Sequence, residues 1–227
     1  VSLAPKNASL VEASTLSMNG LTARQSLDQL GLRAGQTIGV TGAAGCYGGY
    51  VVQLAKSEGL RVIADASAND EKLVSDLGAD IVVQRGDDIT QQIRKIVPEG
   101  VDGLADGAVQ NHLSAGAVRD GGSFVSVRYW EGTGERGVEF HKTSVSDYFH
   151  RSDLLDQLSR QVEERILTAF SDREKAVAEK DIKSENQEKP EQPLKNKRGK
   201  FSLQVGAYGS IRNANTAVKN LKAGGYS

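Results

Sequence analysis

The sequence predicts an α/β protein whose body, residues 1–165, is a doubly wound parallel sheet. Three observations carry this. Continuous apolar runs alternate with amphipathic ones through this stretch, as expected for strands buried on both faces and joined by helical crossovers. One of the runs ends in a glycine-rich turn followed at once by an amphipathic segment. Near residue 165 the composition changes, first to a charged segment over 166–200, then to a short α+β, ferredoxin-like pattern over 201–227.

The elements follow in order. Leu10–Leu30 reads as one or two helices, with Asn19-Gly20 as the break. Thr37–Val40 is the first strand and Tyr47–Ser57 the helix after it. Arg61–Ala64 is the second strand. Asn69–Leu77 is the next helix, since Asn69-Asp70-Glu71 puts a cap and acids at its start. Asp80–Val83, Val101–Leu104 and Ser123–Val127 supply further strands, separated by helices over Ile89–Val97 and Val109–Val118. Gly137–His141 fits an edge strand. Asp153–Glu164 fits a helix with Leu154, Leu155 and Leu158 on one side. Such alternation favours right-handed crossovers.

The turn carries the chemistry. Thr37 to Gly49 reads TIGVTGAAGCYGG, with Gly42, Gly45 and Gly48 spaced three apart between a strand and a helix. A helix N-terminus approached through small residues leaves backbone N–H groups facing a phosphate, the layout of a Rossmann-type dinucleotide site. Ala44, Cys46 and Tyr47 belong to the same turn. Asp65 ends the next apolar run, where an acid can take a ribose hydroxyl, and Ser67 follows it. Asp106 and Gly107 close the fourth strand and Val127–Arg128 the fifth, at the carboxyl edge where open α/β sheets bind ligands. The same glycines would also serve a turn built for packing alone, and the two acids would also serve as caps or structural groups.

Composition excludes several classes. The formal net charge of -1 gives no global field toward nucleic acid or anionic membrane. No apolar run reaches the ~20 residues of a membrane span. Cys46 is the only cysteine, so no disulfide forms within the chain. His112, His141 and His150 show no metal-ligand spacing, and no zinc site is expected. Cys46 sits near a helix N-terminus but reads as a small turn residue rather than a nucleophile.

The first ~160 residues resemble the cofactor-binding half of medium-chain dehydrogenase/reductases, in particular the zinc-free quinone oxidoreductase branch. The matching stretches are NGLTARQSL (19–27), LRAGQTIGVTGAAGCYGGYVVQLAK (32–56), RVIADAS (61–67), LGAD (77–80) and VDGLADGA (101–108). The resemblance implies a nicotinamide dinucleotide, usually NADPH, and hydride reduction of a small-molecule quinone or enone in the cytoplasm. It adds Thr22 to the candidate cofactor residues and makes the 138–145 edge a candidate contact for a homodimer. Three departures stand out. The N-terminal barrel-like domain of the family has no counterpart, so little turnover is expected from this chain. Tyr47 replaces a small or β-branched residue, and either crowds the pyrophosphate or points outward. Asp65 aligns with the acid that favours NAD and would repel a 2′-phosphate, with Arg61 the only basic residue near it in sequence, so NAD and NADP both stay open.

In Ser171–Lys200, 16 of 30 residues are charged, 7 acidic and 9 basic, and none is aromatic. Such a segment is expected to be a disordered, solvated linker. Beyond it, FSLQVGAYGSIRNANTAVKNLKAGGYS resembles the first strand and helix of a SPOR domain, a peptidoglycan-binding module, which makes Gln204 and Ser210 candidate glycan contacts. That resemblance implies a cell-wall protein of the periplasm, in conflict with a cytoplasmic reductase. An inactive chimera joined near 160–175 is the third alternative.

Overall fold

The computed structural model describes residues 2–169. The expected linker from residue 170 and the SPOR-like segment, with Gln204 and Ser210, lie outside the described residues.

Six strands form one all-parallel sheet: β1 (Thr37–Thr41), β2 (Arg61–Ala66), β3 (Ile81–Gln84), β4 (Val101–Asp106), β5 (Val118–Ser126) and β6 (Glu139–Lys142). Their spatial order is β3-β2-β1-β4-β5-β6. The order reverses between β1 and β4, whose carboxyl ends therefore flank a crevice. Helices pack on both faces of the sheet, among them α1 (Leu10–Ser14), α2 (Leu21–Leu30), α3 (Cys46–Ser57), α4 (Glu71–Asp76) and α5 (Ile89–Ile96). Two more among the described residues are α6 (His112–Ala115) and α7 (Ser152–Glu163).

Strand pleating divides the core in two. On β2, Val62, Ala64 and Ala66 join a cluster with α2, α3, α4 and α7, among them Leu27, Val51, Leu54, Val74 and Leu158. Ile63, facing the other way, joins Leu104 and Phe124 under Ile89 and Ile93 of α5. Trp130 meets Phe124 and Phe140 edge-on and those two rings are tilted on each other, with centroids 5.3 to 5.7 Å apart.

Two elements differ from expectation. Val109–Val118 is not a helix: only His112–Ala115 is helical, and Val118 opens β5 opposite Val101. The preceding main-chain N–H groups are taken by the Asp106 carboxylate, and Val109 and Asn111 hold positive φ, so no helix starts there. Asn19-Gly20 does not break the N-terminal helical region either. Leu16–Gly20 forms a π-helical turn that runs into α2, with Gly20 at helical φ -64 and ψ -47. A side chain at Gly20 would meet Leu158 Cδ1 at 3.3 Å, so this glycine is there for close packing.

The packed region extends past 165. Leu167 and Ala169 are buried. The Gln53 amide, on α3, accepts from Thr168 N–H at 2.6 Å, while Tyr50 Oη and Thr15 Oγ1 donate to the Ala169 carbonyl at 2.7 and 2.8 Å.

Candidate functional site

The glycine turn follows β1 directly. Gly42 has φ +67, and a Cβ there would meet Ala108 N and the Gly107 carbonyl carbon at 2.9 Å. Gly45 is the N-cap of α3, and its N–H donates to Gly42 O at 2.9 Å. A Cβ on Gly48 would lie 2.7 Å from Gly42 C and 2.8 Å from Ala43 Cα, and closer still to the Gly42 oxygen. The three glycines therefore do different work: a left-handed turn, an exposed cap, and a helix turn pressed on the chain below it. No side chain caps α3, so no side-chain acceptor offsets the positive end of the helix there.

The turn is fastened from both sides. On the β4 side, Thr41 Oγ1 donates to Asp106 at 2.5 Å and accepts from Ala108 N at 3.2 Å. Asp106 is fully buried and also accepts from Gln110 N and Asn111 N. It organises the loop that abuts Gly42 and presents no oxygen to solvent. On the β2 side, Asp65 Oδ1 accepts from Ala43 N at 3.1 Å and Oδ2 from Arg85 Nε at 3.3 Å. Asp65 is 0 % exposed. The expected ribose acid is thus at the turn but enclosed. It shares the pleat side of Ile63 and faces the interior, while Ala66 takes the other side.

Arg85 was not visible as a site residue in the sequence. It lies 20 residues from Asp65 but follows β3, which pairs in parallel with β2, and its N–H donates to Ala66 O at 2.8 Å. The register of β3 on β2 is the signal that finds it. Arg61, by contrast, stands at the opposite end of β2. Ser67, half-buried just past β2, donates to Asp70 at 2.7 Å. Arg85, 39 % exposed at its side chain, thus stands beside the end of β2 where Ser67 follows.

Tyr47 neither crowds the turn nor points outward. It is buried, its ring lies against Gly107, and its hydroxyl donates to Ser26 Oγ on α2 at 2.9 Å. Burial pushes the phenol well above its ordinary range, against the Ser26 hydrogen bond. Thr22, one turn from Ser26, donates to Met18 O and accepts from Ser26 Oγ. Ala44 is buried, Cys46 half-buried. Val127 packs on the core with its N–H on Asp106 O, and Arg128 is exposed beside it. All the turn and strand-end candidates therefore gather at the carboxyl edge of the sheet. No group of three or more His, Cys, Asp or Glu able to hold a metal occurs among the described residues. Two surface cavities, about 380 and 510 Å³, lie elsewhere. Arg94 and Arg136 line one and Asp102 and Arg119 the other.

A glycine turn on helix α3 at the switch point of a parallel sheet defines a Rossmann-type α/β fold. Solved oxidoreductases share this fold. A Pseudomonas syringae quinone oxidoreductase is 22 % identical, with TM-score 0.65, over 74 % of this chain and 57 % of that one. A mycobacterial protein solved with NADPH is 22 % identical, with TM-score 0.64, over 72 % and 57 %. Among curated proteins, a tomato (Solanum lycopersicum) 2-methylene-furan-3-one reductase is 35 % identical over 127 residues, 55 % of this chain and 32 % of the relative. A Bacillus subtilis oxidoreductase named as NADP-dependent is 40 % identical over 107 residues, 44 % and 30 %. The chain spans about a third of the length of these curated relatives. No family model matches it. Part of the chain thus shares its fold with these solved oxidoreductases and is similar in sequence to two curated oxidoreductases.

Proposed function

We propose that residues 2–169 form the cofactor-binding part of an NADPH-dependent reductase acting on quinones or enones. The observation that carries the reading is the cradle of Gly42, Gly45 and Gly48 under the uncapped N-terminus of α3, at the sheet's switch point. The residues present fit the cofactor. First-turn N–H groups of α3 would take the pyrophosphate, with Gly45 leaving the approach open. Because Tyr47 folds inward onto Ser26, it leaves that approach clear.

NADPH is favoured over NADH by two features. The Asp65 carboxylate is enclosed and faces Arg85, so it does not confront a 2′-phosphate. Arg85 and Ser67 supply a cation and a hydroxyl beyond the end of β2, the pairing such a phosphate needs. A bound nicotinamide cofactor supplies the hydride chemistry. The chain's own residues hold it, and the Asp106–Thr41 pair fixes the Gly107 loop beside it.

Titrating the purified chain with NADPH and NADH, followed by dihydronicotinamide fluorescence, tests the reading. Saturable binding with NADPH the tighter is expected; binding of neither refutes it.

A further inference from the structure

Two side-chain oxygens on the loop after β4 lack a donor. Gln110 Oε1 and Asn111 Oδ1 are closed off from solvent and meet no hydrogen-bond donor among the described residues. Buried polar atoms are nearly always paired, so two orphan acceptors on neighbouring residues call for a reason. The loop itself is firmly held. Asp106 accepts from the main-chain N–H of both residues, at 3.1 and 2.7 Å. Asn111 sits at φ 50 and ψ -109, a conformation that L residues rarely hold. Gln110 Nε2 donates to Gly86 O at 3.0 Å, which fixes its amide with the oxygen left over.

That last bond also gives the loop a direction. Gly86 follows Arg85, so the tether draws Gln110 and Asn111 toward the β3 side of the cleft. With the pyrophosphate on α3 and the ribose beyond β2, continuing outward along the dinucleotide brings its base to this side. We propose that Asn111, on the loop that Gln110 tethers, reads the exocyclic amino group of the adenine base, an inference that rests on the dinucleotide reading above. An adenine amino group brings two N–H donors, and side-chain amides are the groups that match an adenine edge. Asn111 is half-buried as a whole, and rotation of its terminal amide turns its oxygen to the cleft while Gln110 keeps its bond to Gly86 O. The orphan Asn111 oxygen is then an acceptor held in reserve for the base.

The test compares NADPH with its hypoxanthine analogue, in which a carbonyl replaces the adenine amino group, on the full chain. The wild-type chain is expected to bind the analogue about tenfold more weakly, the effect of one lost hydrogen bond. Asn111→Gly, which keeps the positive φ accessible, is expected to shrink that ratio toward one while leaving circular dichroism unchanged. Equal affinity of the wild-type chain for both cofactors overturns the inference and leaves the dinucleotide reading standing. Binding of neither overturns both.

Discussion

Alanine at Gly48 is the sharpest probe of the turn. A methyl there falls 2.7 Å from Gly42 C and 2.8 Å from Ala43 Cα, all main-chain atoms that no rotamer change can clear. At Gly49, the next residue of the same helix, a methyl meets Leu77 Cδ1 at 3.3 Å and Ala43 O at 3.5 Å. Both changes gain up to about 1 kcal/mol of helix propensity. Overpacking against backbone costs about 1–3 kcal/mol or more, so Gly48→Ala is expected to lose about 2 kcal/mol net and Gly49→Ala close to nothing. For a domain of this size, about 2 kcal/mol lowers Tm by about 4–8 °C. Scanning calorimetry or thermal circular dichroism reads this directly. Because the methyl must push the Gly42–Ala43 chain aside, Gly48→Ala is also expected to weaken NADPH binding by at least tenfold, measured by fluorescence titration. Equal behaviour of the two variants, or a Gly48→Ala protein as stable as wild type, refutes the claim that Gly48 is pressed on the turn.

Other perturbations test separate parts of the site. Arg85→Gln is expected to raise the NADPH Kd about tenfold with little change for NADH; an unchanged preference removes Arg85 from cofactor choice. Asp65→Ala leaves the Ala43 N–H without its acceptor and is expected to cost about 1–3 kcal/mol in denaturant titration; no loss would mean that bond is unimportant. The Tyr47 phenol is raised in the folded state, so its contribution is full below pH about 10 and falls as the unfolded chain ionises above that. Tyr47→Phe should therefore flatten the alkaline decline of Tm; an identical alkaline slope refutes the assignment. Asp102 is held below its ordinary range: desolvation opposes ionisation, but bonds from Thr37 N–H, Arg119 and Gln36 outweigh it. Its stabilisation is present above pH about 4 and lost on further acidification, so Asp102→Asn should flatten the acid limb of a Tm-versus-pH curve.

The strands and the turn were legible because each depends on local pattern. Apolar runs marked β1 to β5, and the spacing of Gly42, Gly45 and Gly48 marked a turn that the structure places at the switch point. What was not legible depends on parity and long-range register. One residue of pleat decides that Asp65 lies on the face of Ile63 while Ala66 packs in the opposite layer of the core. Arg85 reaches the same place only through the β2–β3 pairing. The expected helix over 109–118 had suitable apolar spacing, but the Asp106 carboxylate captured the N–H groups that would have started it. The inward turn of Tyr47 required a hydroxyl on another helix, and nothing near it in sequence announced Ser26.

The clasp at Leu167–Ala169 has a mechanical consequence. Gln53 and Tyr50, which grip Thr168 and Ala169, stand on the helix whose first turn bears the glycines. A force applied to the chain beyond Ala169 is therefore carried into α3 before it reaches any strand. Thr15 shares the Ala169 carbonyl, so the N-terminal helices bear part of the same pull. In a pulling experiment from the C-terminal end, these clasp bonds are expected to yield before the strands of the sheet separate.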